Sequence, residues 1–553
     1  MEPEKLAQWI CDRRSKLVGE RAAWDSLWQD IGNYVMPRKA EITSQQGSPG
    51  VAKHSRLFDG TAIRANQILA NGQLSWMTPM ESRWFSFDPP HALKGKDKVE
   101  QWYRRCTEIA QLELARSNFY TEIHELYLDR GAFGTAAMTA EEGEKSLLNF
   151  RLLSCGSYAI AEDSEGNVDT MFREFTMTLR AAAQKFGEEN LHVSMRELLK
   201  DPKRLDQPAN FVHAMFPRAD FDPEKRDGSN MPWASVYVDT ANKKVLRESG
   251  YDEQPFFATR YLLWGKAVYG WSPSWMALPE ARQLNFLEKQ MDALAEIAAF
   301  PRIQIPDGYK GTVNLKANGI TYFDPNGSAP KEWLTGGRYD IGKDRAEIKR
   351  KAINEAFHVD LFQMFSQLEK QMTAREVSER AGEKMIQFSP TFARMTTELF
   401  NPLLQRVFAI LLRAGRFPEI PRDAVLVGPQ GPVLAEPTVT YSSRIALAVK
   451  SHENSAFYQT IDGILPIVQV RPELMDNFDW DEITRDLARN NGLPSRWLLE
   501  EEEVAQRRNA RAQQVAQAQQ MQQMQMAADS AAKVGGIPND SAAVQMLKDK
   551  AAA

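Results

Sequence analysis

The apolar residues of this chain keep a helical period, lose it over roughly a hundred residues, and then recover it, which restricts the fold to a mainly helical α+β class. Trp24, Leu27, Trp28, Ile31, Tyr34 and Val35 recur at three- and four-residue steps and stop at Met36-Pro37, predicting an amphipathic helix. After the loop SQQGSPG, Thr61 is placed to cap a second helix with Ala65, Ile68, Leu69, Gly72 and Trp76 on its apolar face. That helix ends near Thr78-Pro79. Trp102, Ile109, Leu114, Ile123 and Leu126 predict two more helices over 98–135. Between 150 and 260 the pattern is strand-like. Tyr158 to Glu162 and Val168 to Phe175 form a hairpin around DSEGN with Gly166 in the turn, and WASVYVD pairs with KKVLRES.

Helical pattern returns at 279–299, PEARQLNFLEKQMDALAEIAA, and halts at Phe300-Pro301. Glycine, proline and short β-like runs, RIQI and GITYF, occupy 301–340, and another helix follows over 341–365. A long helix from Thr373 to Ala414 carries Phe392, Met395, Leu399, Leu403, Val407 and Ile410 as its stripe, with kinks at Pro390 and Pro402. A proline-rich stretch then leads to helices over 442–465 and 479–490, and from 496 the chain is rich in Glu, Arg, Gln and Ala.

Composition narrows the function. A length of 553 residues leaves room for three or four folding units, and 43% hydrophobic with 25% charged residues is ordinary for a folded protein. The formal net charge of −5 excludes a basic nucleic-acid coat, because tight non-specific DNA binding needs surplus Lys and Arg. Cys11, Cys106 and Cys155 form no CxxC pair, so neither a disulfide framework nor a zinc site is expected. The start MEPEKLAQWICDRR lacks the apolar core of a signal peptide, and no membrane span is expected. Motifs for chemistry are missing as well. YDIGKDRAE has a Gly-Lys pair without the first glycine or the Ser/Thr of a phosphate loop. His124-Glu125 lacks the second histidine of a helical metal site, and there is no GxSxG elbow. The chain is not expected to be an enzyme or to need a cofactor.

Five segments occur in a telling order: RLFDGTAIRANQILANGQLSWMTPMESRWF (56–85), AEDSEGNVDTMFREF (161–175), RYLLWGKAVYGWSP (260–273), MTAREVSERAGEKMIQFSPTFARMTTELFNPLLQRVFAILLRAG (372–415) and RPELMDNFDWDEITRDLARNNGLPSRWLLEEEEVAQRR (471–508). Together they resemble the head-to-tail connector, or portal, family of short-tailed bacteriophages. The resemblance implies a wing over 1–277, stem helices at 278–300 and 341–365 joined through a β-containing clip at 301–340, and a tunnel loop at 366–372. It further implies a long kinked wing helix at 373–415, a crown at 416–495, a barrel helix at 496–533 and a disordered tail at 534–553. It implies a ring of about twelve subunits, assembled in the host cytoplasm and placed at the portal vertex of the virion, through which double-stranded DNA is packaged and ejected. Implied partners are the terminase large subunit, tail adaptor and tail proteins, capsid and scaffolding proteins, and internal head proteins, with no membrane. The competing reading is a purely structural ring component with no DNA channel role.

On that layout Lys370 and Glu369 of the tunnel loop, with Lys343 and Arg350 of the second stem helix, are the expected DNA-channel residues. A single base per loop lets DNA slide, since a ring multiplies each cation by its copy number. Arg302, Lys310 and Lys316 of the clip are the expected contacts for motor and tail proteins. Glu280, Glu288, Asp292 and Glu296 make the first stem helix net acidic, while Lys343, Arg345, Lys349, Arg350 and Lys351 make the second basic. The basic face answers to a neighbouring subunit's acidic helix, to DNA or to solvent. In the tail, Leu493, Val504, Val515 and Met526 fall eleven residues apart, the spacing of a nearly straight helical seam, so a barrel of neighbouring tails competes with a disordered Gln-rich tail.

Overall fold

The computed structural model describes residues 2–43, 57–143, 146–222, 225, 227–300, 302–307, 309, 312–314, 320–322, 329–333, 339–363, 388–428, 431–442, 460–461, 463–464, 471–490, 499, 501–534, 542 and 546. The fold is mostly helical, 57%, with antiparallel sheets. Contacts divide the chain into two compact units, Met1–His452 and Glu453–Ala553.

Helix α1, Pro3–Val35, contains the expected stripe and begins well before it. Trp28, Ile31 and Val35 join the main core, whereas Leu6, Ala7 and Ile10 pack on a sheet described below. At 1.5 Å per residue this helix is roughly 50 Å long, enough to brace two cores. Helix α2, Thr61–Met77, corrects the expected cap. Thr61 is already helical, Gly60 is the cap residue, and Asp59 Oδ1 accepts the Thr61 N–H at 2.7 Å. A short strand β1, Phe85–Asp88, precedes α3, Asp97–Arg116, and α4, Phe119–Phe133, the two helices expected over 98–135. The Trp28 indole donates to the Phe133 carbonyl at 2.9 Å, tying α1 to α4 deep in the core.

Strands β2, Thr135–Glu142, and β3, Leu148–Leu153, join β9, Phe256–Arg260, in a sheet of order β3-β2-β9. A five-stranded antiparallel sheet runs β4-β5-β6-β7-β8, from β4, Tyr158–Glu162, through β5, Val168–Thr178, β6, Pro208–Pro217, and β7, Trp233–Asp239, to β8, Lys244–Tyr251. Both expected hairpins are present, and Gly166 takes φ +85° in the first turn. Helices α5, Leu179–Phe186, and α6, Val193–Leu199, interrupt the sheet between β5 and β6.

Helix α7, Pro273–Ala299, starts six residues before its expected origin, because Pro273 takes the first turn and the Ser272 hydroxyl accepts the Trp275 N–H at 3.0 Å. Strands β10, Arg302–Gln304, and β11, Lys331–Trp333, pair beyond it. The described residues of GITYF, 320–322, are not in a strand, so RIQI finds its partner in KEW instead. The single helix expected over 341–365 is two, α8, Tyr339–Ala356, and α9, Val359–Gln363, broken where His358 adopts φ +53°. The expected tunnel loop, 366–372, and the first part of the expected long helix, 373–387, lie outside the described residues. Residues 388–395 are helical, Thr396–Phe400 form a π-turn, and Asn401–Arg413 continue as α-helix. Pro402 supplies no amide, and the wide turn just before it accommodates the missing bond.

Strands β12, Val425–Gly428, and β13, Gly431–Leu434, form a hairpin, and β14, Thr438–Tyr441, pairs with β1 from Phe85↔Tyr441 to Asp88↔Thr438. Sequence pattern read this region only as a proline-rich approach to helices. Of the helix expected over 442–465, residue 442 is not helical, 443–459, 462 and 465 lie outside the described residues, and the remaining four positions are helical. The second unit holds the helix Trp480–Asn490 and the 34-residue helix Glu501–Val534. Arg508 clasps Asp481 with contacts of 2.5 and 2.6 Å between these two helices.

Candidate functional site

Helices α7 and α8 pack side by side, burying Ala281, Leu284, Met291, Ala346 and Ile353. Gly342 permits their approach, since a Cβ there would meet Met291 Sδ at 2.9 Å. Across this seam Lys349 pairs with Glu280 at 2.5 Å, and Arg350 with Glu288 at 2.5 Å and Asp59 at 3.0 Å. Burial opposes the Arg350 cation, yet the bonds to Asp59 and Glu288 leave its pKa above the ordinary guanidinium value. Asn285 Oδ1 accepts the Phe58 and Asp59 amides at 2.8 and 3.2 Å, holding Asp59 where Arg350 reaches it. The acid–base complementarity expected between subunits is therefore realised at these positions within one chain. Arg350, expected to face DNA, spends its guanidinium on two carboxylates of its own subunit.

Lys343 is exposed on α8, and Arg302 is exposed on β10. Lys370, Glu369, Lys310 and Lys316 lie outside the described residues. The helix pair also carries large apolar side chains in solvent, Phe286 at 64% and Ile348 at 66% exposure. Tail residue Val504 is half-buried, while Val515 and Met526 are exposed at 52% and 67%.

A second constellation escaped sequence reading. Arg260, 2% exposed, donates from its backbone N–H to Glu398 Oε2 at 2.7 Å, and from Nε and Nη2 to Oε1 at 3.0 and 2.8 Å. Its guanidinium also meets Glu162 and the carbonyls of Gly166 and Val268. Glu398 belongs to the π-turn, so one arginine ties that turn to the β4–β5 hairpin and to the segment after β9. A cavity of about 530 Å³ opens beside the cluster, lined also by Lys266, Pro390, Arg394 and Thr397. Among the described residues no group of three metal-ligating side chains converges, and no helix is long and apolar enough to cross a membrane.

Residues 7–499 match the model of the bacteriophage head to tail connecting protein family. The chain belongs to this family. A probable portal protein of Bordetella phage BPP-1 is 31% identical over 538 residues, covering 96% of this chain and 95% of its own. The portal protein of Salmonella phage epsilon15 is 30% identical over 544 residues, with the same coverage of both. A chain from the neck of an empty GTA particle aligns at TM-score 0.35 and 11% identity, covering 71% of this chain and 84% of that one, a likeness too distant to bear on the fold. Family membership makes the chain a head-to-tail connector of the phage virion, in a family that is structural and not enzymatic.

Proposed function

We propose that the chain forms a closed ring of about twelve copies at one vertex of the capsid and that DNA passes through it during packaging and ejection. The observation that carries this reading is the pair of exposed apolar side chains, Phe286 and Ile348, on two helices that already bury Ala281, Leu284, Ala346 and Ile353. Large apolar groups left in water on both members of a helix pair suit a heterologous interface, in which one face of each subunit meets a different face of the next. The tunnel loop 366–372 with Lys370 and Glu369, and Lys343 on α8, are the proposed channel contacts. Arg302, Lys310 and Lys316 of 301–340 are the proposed docking residues for the packaging motor and, later, for tail proteins. Capsid, scaffolding and internal head proteins complete the proposed partners. The tail helix supports a barrel around the ring axis, because Val515 and Met526 repeat at eleven residues and are exposed in the single subunit.

The test is the double variant Phe286→Asp with Ile348→Asp, with assembly read by negative-stain microscopy. Burying each side chain contributes about 1.5–3 kcal/mol per interface, so their loss repeated around a ring leaves monomers with an unchanged circular dichroism spectrum. Rings that persist in this variant exclude the helix pair as the interface.

A further inference from the structure

The five-stranded sheet carries a row of paired positions on the face opposite α1: Arg173↔His213, His213↔Tyr237 and Tyr237↔Arg247. His213 and Tyr237 stack at 4.0 Å with planes 5° apart, making a flat aromatic floor between two arginines. Lys185 from α5 lies over the Tyr237 ring at 4.5 Å, and Arg151 of β3 acts on both Lys185 and Arg173. Arg151, Lys185 and Arg247 are exposed and Arg173 is half-buried. No side chain of these four has an ion pair or hydrogen bond among the described residues, although Arg173 and Lys185 also rest on the Phe175 ring at 5.3 and 5.4 Å. Glu141 is the carboxylate that acts on both, and it forms an ion pair with neither.

Several arginines elsewhere in the fold are paired. Arg260, Arg350, Arg406 and Arg413 each hold carboxylates. Four neighbouring cations left without a carboxylate repel one another: burial first and like charge second lower the pKa of Arg173 and His213, with Tyr237 and Glu141 opposing at Arg173, while at Lys185 burial lowers it, Glu141 opposes, and the three arginines add to the lowering. A bound anion offsets the repulsion.

We propose that this patch docks an acidic segment of a separate protein, one that presents carboxylates at alternate positions of an extended chain. Three strand spacings separate Arg173 from Arg247, roughly 14 Å, and an extended peptide places side chains of one face about 7 Å apart. Carboxylates at positions i, i+2 and i+4 therefore span the row. Duplex DNA fits less well, because the rim is acidic. Glu141 stands beside the patch, and Glu142, Asp252 and Glu253 gather around Arg413 at 3.2, 3.6 and 2.5 Å. A rigid duplex would lay phosphates over those carboxylates, while a flexible peptide touches only the cations. A second copy also fits less well. Stable copy-to-copy interfaces are apolar, and Phe286 and Ile348 supply such a surface on α7 and α8, whereas the patch is polar and suits an exchangeable partner with a salt-dependent on-rate.

The experiment uses the full chain and a fluorescent (Ser-Glu)₆ peptide, with binding read by anisotropy in 50 and 300 mM salt. The triple variant Arg151→Gln, Lys185→Gln, Arg247→Gln removes only exposed charges, and its melting curve checks that it folds. Each exposed pair is worth roughly two- to five-fold, so the triple variant binds roughly ten- to hundred-fold more weakly, and salt weakens the unmodified chain in the same direction. A (Ser-Gln)₆ peptide does not bind. Three results overturn the proposal: equal peptide affinity for variant and unmodified chain, tighter binding of a 20-base-pair duplex that the variant loses, or self-association lost in the variant. Ring formation, read separately by microscopy, is untouched by the triple variant.

Discussion

Replacing Glu398 by Gln tests whether the π-turn is held by one buried charge. Arg260 is 2% exposed and Glu398 10%, so their pairing is shielded from water and salt. The carboxylate takes three bonds from Arg260 and one more from Arg394 at 3.2 Å. Glutamine keeps the shape but turns an NH₂ toward one of those donors and removes the charge. Breaking a buried pair costs about 3–5 kcal/mol, and because Glu162 stays beside the guanidinium at 23% exposure, the lower end applies, about 3 kcal/mol. Denaturant unfolding reads the loss, and amide exchange across 394–401 locates it, since the π-turn amides open once the anchor is gone. The control is Arg394→Gln, whose pair with Glu398 is 35% exposed on the arginine side and costs under about 1 kcal/mol. If Glu398→Gln unfolds at the same denaturant concentration as Arg394→Gln, Glu398 is not the anchor of the turn.

Three further substitutions probe two glycine turns and one buried charge. Gly134→Ala forces a side chain at φ +79° with its Cβ 2.2 Å from the Gly270 carbonyl oxygen, costing about 3 kcal/mol, while Gly166→Ala at φ +85° meets open space and costs about 1–2 kcal/mol; equal losses by denaturant titration would refute the close contact. Asp129 is 1% exposed, and burial raises its pKa from 3.8 to about 6 against the pull of Lys39 Nζ at 2.6 Å. The folded state therefore binds the proton more tightly than the unfolded one, so this contribution to stability is complete below pH 3.8 and is lost as pH rises through 6, a change of about 3 kcal/mol. Asp129→Asn removes that slope between pH 4 and 6, and an unchanged slope in urea titrations would refute the assignment.

What could be read from the sequence divides along a physical line. Elements that advertise their own period were legible: the Trp24 to Val35 stripe, the paired helices of 98–135, and the hairpins around Gly166 and after WASVYVD. Elements whose identity comes from a distant partner were not. Strand β6 holds FVHAM, five consecutive buried residues with His213 among them, so neither alternation nor a polar face marks it as a strand. Strand β14 exists because β1, more than 350 positions earlier, offers it a free edge.

The candidate sites show the same division, and charge is where it bites hardest. Charge runs on α7 and α8 were visible, but which charges meet was not, because Asp59 reaches Arg350 only after Asn285 has fixed the loop before α2. Arg260, Glu162 and Glu398 lie 98 and 138 positions apart, and each alone reads as a solvated surface residue. Only the packing of the β4–β5 hairpin against the π-turn removes water from around them, and then the same three residues become a clamp. The reverse holds for Arg151, Arg173, Lys185 and Arg247. The fold gathers them from four separate segments and gives them no carboxylate, so their need for an anion is a property of the tertiary structure.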